Sequence, residues 1–314
     1  MRLIGLMPVR NEGWVLGYSA RVALQWVDAL VILNHASTDD TSDIINRLAC
    51  EYGNRVIPMY NADVSWHEMQ HRQQMLECAR IEGATHIAII DADELLSGNL
   101  LSRIRQGIES TPNGSIVRLP IYNMRGVVTQ YHMDGMWAHQ TTAFAFVNQP
   151  SAAWMGDQFH HREPYGILGT PNTLVSWGEG GVMHLWGVSE RRLVARHALY
   201  KITERLRWPQ KSVAEINSYY NMAIYPPGAT ATQIEPVYAS AADRIKHRFD
   251  QPTYLTQSNS WHFATTPEDW LEPYARFAEY LKADATPWQE QEARRLVELY
   301  GTGPFSQLDL FGVV

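Results

Sequence analysis

The first residues in this chain that could do chemistry together are Asp91-Ala92-Asp93-Glu94, which follow the uncharged run Ile87 to Ile90. On an extended backbone, residues two apart project to the same side, so Asp91 and Asp93 can converge on one ligand. Two carboxylates held close repel each other unless a positive group lies between them. A hard divalent cation such as Mg²⁺ or Mn²⁺ supplies that charge, prefers oxygen ligands and commonly keeps waters that substrate phosphates replace. The plainer alternative is an acidic turn that caps the next helix through Ser97 or Asn99. The metal reading is favoured by position, because open α/β sheets bind ligands at the carboxyl ends of their strands.

The elements that must carry such a pair can be read from hydrophobic period. Leu3 to Met7 is a continuous apolar run stopped by Pro8 and reads as a buried strand. Trp14 to Val27 carries two apolar stripes, Leu16, Ala20, Ala23 and Val27, then Val15, Tyr18, Val22 and Trp26, so its helix is buried nearly all round. Ala29 to Leu33 is the next strand. Ser37-Thr38-Asp39-Asp40-Thr41 offers N-cap chemistry to a helix with Ile44, Ile45, Leu48 and Ala49, closed by Gly53. Arg55 to Tyr60 and His86 to Ile90 read as further strands, with a helix over His67 to Ile81 between them. This alternation predicts an α/β fold with a mostly parallel sheet and helices on both faces. Four polar clusters then share one rim: Arg10 to Glu12, Asn34 to Asp39, Asn61 to Asp63, and Asp91 to Glu94.

Further on, Leu100, Ile104 and Ile108 mark a helix, and Ser115 to Tyr122 and Thr142 to Val147 mark strands. Residues 148 to 187, rich in Gly, Pro, His and Trp, read as long loops, and Glu190 to Arg207 as a helix with Ser189 as its cap. Tyr225-Pro226-Pro227-Gly228 breaks the chain. Most of the sequence beyond that break reads as helical, with Pro267 to Leu281 and Pro287 to Tyr300 each opening on proline.

Three stretches together resemble the family-2 glycosyltransferases of the GT-A fold: Pro8-Val9-Arg10-Asn11-Glu12, Ser37-Thr38-Asp39-Asp40-Thr41, and Asp91-Ala92-Asp93. The resemblance covers the first 125 residues or so well, residues 150 to 205 loosely, and the tail hardly at all. It implies transfer of a sugar from a nucleotide-sugar donor to a glycan or other hydroxyl acceptor, with Mn²⁺ or Mg²⁺ as cofactor. It also implies a GT-A-like domain over residues 1–224, and the mostly helical sequence over 225–314 reads as an extension of it. Residues 1–125 would form its nucleotide-binding half and 126–224 its acceptor half. On that implication Pro8, Arg10, Asn11, Glu12, Asn34 and Asp39 hold the nucleoside. Asp93 ligates the metal, with Asp91 as a second ligand that also lies near the ribose. One departure stands out: the family usually has an aspartate pair where this chain has Asn34-His35, which leaves Asn34 to read a base edge through its amide.

Arg72 falls on the apolar stripe Met69, Leu76 and Ala79, where a guanidinium must reach water or meet an anion; the resemblance makes that anion the donor diphosphate. His184 is either a hydrogen-bonded structural residue or, as the resemblance implies, a late histidine completing the metal site. A zinc site from His160, His161 and His184 lacks any cysteine or spaced acid to support it. The inverting mechanism of such transferases requires a carboxylate base, and Asp157 and Glu163 are both candidates. Trp137, Trp154, Trp177 and Trp186 would line the acceptor side. The basic run Arg191, Arg192, Arg196, Lys201, Arg205, Arg207 and Lys211 reads as a solvated helix face, with Arg191 or Arg192 as a second candidate anion contact.

Two rival readings use the same residues. An aspartate-based phosphohydrolase would take Asp91 as nucleophile, but Leu95 stands where such enzymes carry Thr or Val. A non-catalytic carbohydrate-binding protein could share the fold. A dinucleotide-dependent oxidoreductase is disfavoured, because no Gly-X-Gly-X-X-Gly follows the first strand. The 314 residues carry 26 Lys+Arg against 33 Asp+Glu, a net charge of −7, which argues against a nucleic-acid partner. No apolar run approaches the roughly 18 residues of a transmembrane segment, and the start lacks a signal-peptide pattern. Cys50 and Cys78 form no disulfide framework, so a cytoplasmic protein is expected.

Overall fold

The structure is a computed structural model that describes residues 1–133, 137–221, 223, 263–274 and 287–310. Strands β1 (Leu3–Val9) and β2 (Ala29–His35) are the inner pair of the parallel part of the sheet, and alternation along them feeds two separate cores. Leu3, Met7, Val9, Leu30 and Ile32 face one core. It is closed by α1 (Gly13–Ala23) and α2 (Thr41–Tyr52) through Leu16, Ala20, Ala23, Ile44, Ile45 and Leu48. Ile4, Leu6, Val31 and Leu33 face the other, covered by Met69, Met75, Leu76 and Ala79 of α3 (Glu68–Ile81). Gly5 is there because of packing: a Cβ would stand 2.7 Å from Cδ1 of Leu30 and 2.9 Å from Cδ1 of Ile90.

With β3 (Val56–Asn61) and β4 (His86–Ile89), the strands lie in the order β3-β2-β1-β4, all parallel. Their carboxyl ends therefore share one edge, as the sequence predicts. Beyond β4 the sheet turns antiparallel, through β8 (Thr141–Val147) and then β6 (Ile116–Arg125). Strand β5 (Glu94–Leu96) leaves the main path. It pairs antiparallel with β10 (Val182–Gly187), and β9 (Asn172–Thr173) adds two residues beside β6. The α/β class with helices on both faces is observed.

Several local expectations need correction. Pro8 does not stop β1, which pairs with β2 through Val9 opposite Asn34. Strand β4 accompanies β1 only as far as Leu6, so proline sits where one side of the strand has no ladder to break. Strand β2 runs two residues further than its apolar run, and Asn34 and His35 are buried at 4% exposure each. Helix α1 ends at Ala23, although Trp26 and Val27 beyond it stay buried. The expected loop up to residue 187 contains β10, whose Val182, Met183 and Leu185 are buried. A strand between Val127 and His132 (β7) is also additional to the sequence reading.

The chain divides into two compact units with interleaved segments. One comprises Met1–Tyr122, His139–Leu185 and Thr266–Leu281. The other comprises Asn123–Ala138, Trp186–Thr265 and Lys282–Val314. The expected boundary after residue 224 thus falls inside a segment of the second unit. Much of the expected helical extension lies outside the described residues. Its described parts are a strand over Phe263–Thr265 paired with β7, a short helix at Glu268–Leu271, and a helix over Trp288–Tyr300. Among the described residues no helix is long and apolar enough to cross a membrane.

In the second unit, α5 (Glu190–Arg207), α6 (Val213–Asn221) and the helix Trp288–Tyr300 meet through Ala195, Ala198, Ile202, Ile216, Tyr220, Ala293 and Val297. Ser189 caps α5 as expected, its hydroxyl accepting from the Arg192 N–H at 3.3 Å. The solvated basic face forms only in part, with Arg191 exposed and Arg205, Arg207 and Lys211 half-buried. Arg192, Arg196 and Lys201 are buried, because the helix is covered on more than its apolar stripe. Arg191 pairs with Glu290 at 2.9 Å. Lys201 is fully buried, donating to Asn221 Oδ1 at 2.5 Å and to the Asp309 carbonyl.

Burial pushes the Lys201 ammonium down to about 7, against the opposing pull of Asp309. The unfolded lysine keeps its proton up to about pH 10. Between pH 7 and 10 the unfolded chain therefore binds one more proton than the folded one, and stability rises by about 1.4 kcal/mol per pH unit from this group. Denaturant titrations across that range should show the rise in wild type and a flatter profile in Lys201→Met. Parallel profiles would mean the lysine titrates normally.

Candidate active site

After β4 the chain does not stay extended. It folds into a turn in which the Glu94 N–H donates to the Asp91 carbonyl at 3.0 Å and the Asp91 N–H to Glu94 Oε2 at 3.1 Å. Strand β5 then pairs with β10 in a register that sets His184 opposite Glu94, and the Leu185 N–H donates to the Asp93 carbonyl at 2.8 Å. That pairing brings His184 Nε2 within 3.7 Å of Asp93 Oδ2, with the two side chains 20% and 8% exposed.

Two arginines reach the same turn from opposite sides of the sequence. Arg72, buried on α3, donates from Nε to Glu68 Oε1 and from Nη2 to Asp91 Oδ1, both at 3.2 Å. Its Nη1 makes no hydrogen bond among the described residues. Arg162 donates from Nη1 to Asp91 Oδ2 at 2.9 Å and to Glu94 Oε1 at 2.7 Å, and from Nη2 to Glu94 Oε2 at 2.7 Å. Burial pushes the Asp91 carboxyl up, but Arg72 and Arg162 together outweigh it and hold the group below the usual carboxylate range. At Glu94 burial, aided by the Asp91 charge, outweighs Arg162, and its pKa rises. For both arginines burial works downward, and the carboxylates overcome it.

The loops expected to hold a nucleoside bind mainly one another. Asn11, buried with φ at 54°, accepts through Oδ1 from the N–H groups of Thr38 at 2.6 Å and Asp39 at 3.1 Å. Asp39 accepts from the N–H of Gly13 at 3.1 Å and of Thr41 at 3.0 Å, capping α1 and α2 at once. Asn34 accepts from the Ser37 N–H at 3.1 Å and donates to Ser42 at 2.8 Å. Glu12 receives the indole N–H of Trp14, and Pro8 lies within β1 one position from its end. Arg10 holds the carbonyl of Val64 at 2.9 Å and stands 5.9 Å from the Trp66 ring centre.

The two candidate bases sit in different surroundings. Glu163 is ion-paired with Arg118, whereas Asp157 lies in an exposed turn. Their segment is tied to the site by Arg162 and by the His160 N–H, which donates to Glu68 Oε2 at 2.9 Å. His161 stacks on Tyr165, and among the described residues no three His, Cys, Asp or Glu side chains form a metal-holding group.

Sequence reasoning missed Arg162, Glu68 and the pair His35 and His71. Glu68 was legible as an i,i+4 partner of Arg72. Arg162 sits in an aperiodic loop and carries no such signal. His35 and His71 lie with ring centres 4.3 Å apart, and Asn61 bonds the His71 ring at 3.0 Å.

No protein-family model matches this chain, and no curated protein matches it. Solved structures do. Glucosyl-3-phosphoglycerate synthase from Mycobacterium tuberculosis, in complex with Mn²⁺, UDP and glucosyl-3-phosphoglycerate, is 20% identical over 40% of this chain and 46% of its own, with a TM-score of 0.29. The match thus spans less than half of that synthase. S. aureus TarS 1-349 in complex with UDP-GlcNAc is 10% identical over 94% of this chain and 88% of its own, with a TM-score of 0.46. GalNAc-T7 with UDP, GalNAc and Mn²⁺ is 12% identical over 79% and 57%, with a TM-score of 0.40.

Burial, helped by the charges of His71 and Arg10, lowers His35 to about 4. An unfolded histidine titrates near 6.5. The unfolded chain therefore binds the extra proton between pH 4 and 6.5, and the stability owed to a neutral His35 is present above 6.5 and lost as pH falls through that window. Melting temperatures of wild type and His35→Asn should converge as pH drops from 7 to 4. A gap that stays constant would show that His35 is not held neutral.

Proposed function

We propose that this chain is a metal-dependent glycosyltransferase that moves a sugar from a nucleotide-sugar donor to a hydroxyl of a glycan or another acceptor, with inversion at the anomeric carbon. The observation that carries the reading is that a carboxylate–imidazole pair, suited to a cation, and a guanidinium, suited to an anion, reach the same turn. Asp93 and His184 stand 3.7 Å apart, and Arg72 is fixed by Glu68 and Asp91 with Nη1 not spent on described residues. A donor diphosphate carrying a metal ion needs both kinds of group.

The donor set fits Mn²⁺ or Mg²⁺. Two ligands each about 2.1 Å from one ion can lie this far apart. A site with one carboxylate and one imidazole leaves most of the shell to water and phosphate oxygens, as these ions accept, whereas a structural zinc site would be closed by four protein ligands. When bound, the ion stabilises as a Lewis acid the charge that develops on the departing diphosphate.

The chain's own groups supply the remainder. Arg72 holds a diphosphate oxygen. Asp157 takes the acceptor proton as the acceptor oxygen bonds to the anomeric carbon, and the bond to the diphosphate oxygen breaks with its electron pair. Glu163, the other candidate base, is ion-paired with Arg118. Asn11, Asn34 and Asp39 act on the nucleoside side by fixing loop shape, with Pro8, Arg10 and Glu12 beside them. The phosphohydrolase alternative loses support, since both oxygens of its would-be nucleophile Asp91 are held by arginines.

The test is turnover of a panel of UDP-, GDP-, CMP- and dTDP-sugars with and without Mn²⁺. Lewis-acid stabilisation of several kcal/mol corresponds to a loss of about 10²-fold or more in Asp93→Asn, at 1.36 kcal/mol per tenfold. Metal-dependent turnover that survives in Asp93→Asn removes that residue from the role. Glycan binding indifferent to metal, with no turnover of any donor, would favour the non-catalytic alternative.

A further inference from the structure

All five N–H groups of Arg162 are used within the protein. Nε donates to the Ala143 carbonyl at 2.7 Å and Nη2 to the Ile89 carbonyl at 2.6 Å, which fixes the guanidinium plane between β8 and β4. The remaining three go to carboxylates: two to Glu94 at 2.7 Å each and one to Asp91 at 2.9 Å. Five bonds exhaust the donors of the side chain, so Arg162 has none left for a substrate phosphate. Its effect falls on the carboxylates. Glu94 is bonded through one oxygen to Arg162 and through the other to Arg162 and the Asp91 N–H. Asp91 is bonded through one oxygen to Arg72 and through the other to Arg162.

We propose that Arg162 is a positioning residue that acts as a built-in cation. By occupying Glu94 and one oxygen of Asp91, it reserves those carboxylates and assigns ion binding to Asp93 with His184. The inference rests on the metal-dependent reading above. Without Arg162 the uncompensated charge of Glu94 and of one Asp91 oxygen would strengthen the pull on a divalent ion beside Asp93. With Arg162 in place that pull is weaker, and the diphosphate has to complete the shell. The ion and the donor are thereby coupled. A lysine would not serve equally, because its single ammonium lacks the planar fork that spans two carboxylates and two carbonyls.

The experiment is a Mn²⁺ titration of the full chain followed by electron paramagnetic resonance, without nucleotide. Arg162→Gln should bind Mn²⁺ more tightly than wild type by about tenfold or more, the scale on which groups behind metal ligands act. The double variant Arg162→Gln with Glu94→Gln should fall back toward wild type, since the freed carboxylate is gone. Unchanged or weaker Mn²⁺ binding in folded Arg162→Gln overturns the proposal. If that variant fails to fold, Arg162→Lys carries the same comparison, with tighter binding expected and unchanged binding again overturning it. A wild-type chain that binds Mn²⁺ neither alone nor with any nucleoside diphosphate overturns the metal reading itself. That result is distinct from a wild type that binds while Arg162→Gln matches it.

Discussion

A cluster of acids at the edge of a sheet has to be neutralised before it can be kept there. Glu68, Asp91, Asp93 and Glu94 converge on one turn, and the charges that make this tolerable are the guanidinium groups of Arg72 and Arg162. Taking such ions out of water costs several kcal/mol each unless partners and hydrogen bonds compensate. Here the compensation is nearly complete for Asp91 and Glu94, whose partners are all charged or backbone donors. The site's chemistry therefore depends on two residues that come from a helix and a loop, not from the acidic motif itself.

The scaffold explains how these distant pieces meet. Parallel order β3-β2-β1-β4 gathers four strand ends on one edge, and each end hands over a turn rather than a further strand. Helix α3 lies across the Ile4 and Leu6 side of the sheet, so its Arg72 arrives at the end of β4 while its Met69, Met75 and Leu76 stay in the core. Pairing of β5 with β10 does the same for His184. On the other side, Asn11 and Asp39 lock the loops after β1 and β2 against the starts of α1 and α2. Precise placement at this edge comes from backbone hydrogen bonds made by side chains that the motif alone would assign to ligand.

Legibility in the sequence tracks the range of the forces involved. The first four strands and three helices were legible, because apolar period is local and these segments bury both sides. Asp91 and Asp93 were legible as a motif, and Arg72 as an arginine on an apolar stripe. Their relation was not: the turn that separates the two aspartates is set by Glu94 folding back on the Asp91 N–H. Arg162 was illegible for a related reason. Its carboxylate partners are 68 and 71 positions away in sequence, and its loop has no period to betray burial. Strand β10 was hidden among glycines and aromatics, since a short strand preceded by Gly180 and Gly181 has the composition of a loop. The basic helix α5 misled in the opposite direction. Charge suggested solvent, yet Lys201 ended fully buried because carbonyl and amide oxygens were supplied by segments far along the chain.

The balance of charge also bears on the order of events at this edge. Among the described ion pairs, Glu68, Asp91 and Glu94 face the two guanidinium groups of Arg72 and Arg162, and the chain as a whole carries −7. An anionic ligand approaching alone meets a field that Arg72 does not reverse, since that arginine is already shared between Glu68 and Asp91. An anion that arrives with a divalent cation meets the opposite situation. The excess carboxylate then attracts the complex, and the low-dielectric setting strengthens that attraction compared with water. On the transferase reading, the acidic surplus is what makes metal and diphosphate enter as one, and Arg162 keeps the surplus from being large enough to trap the ion by itself.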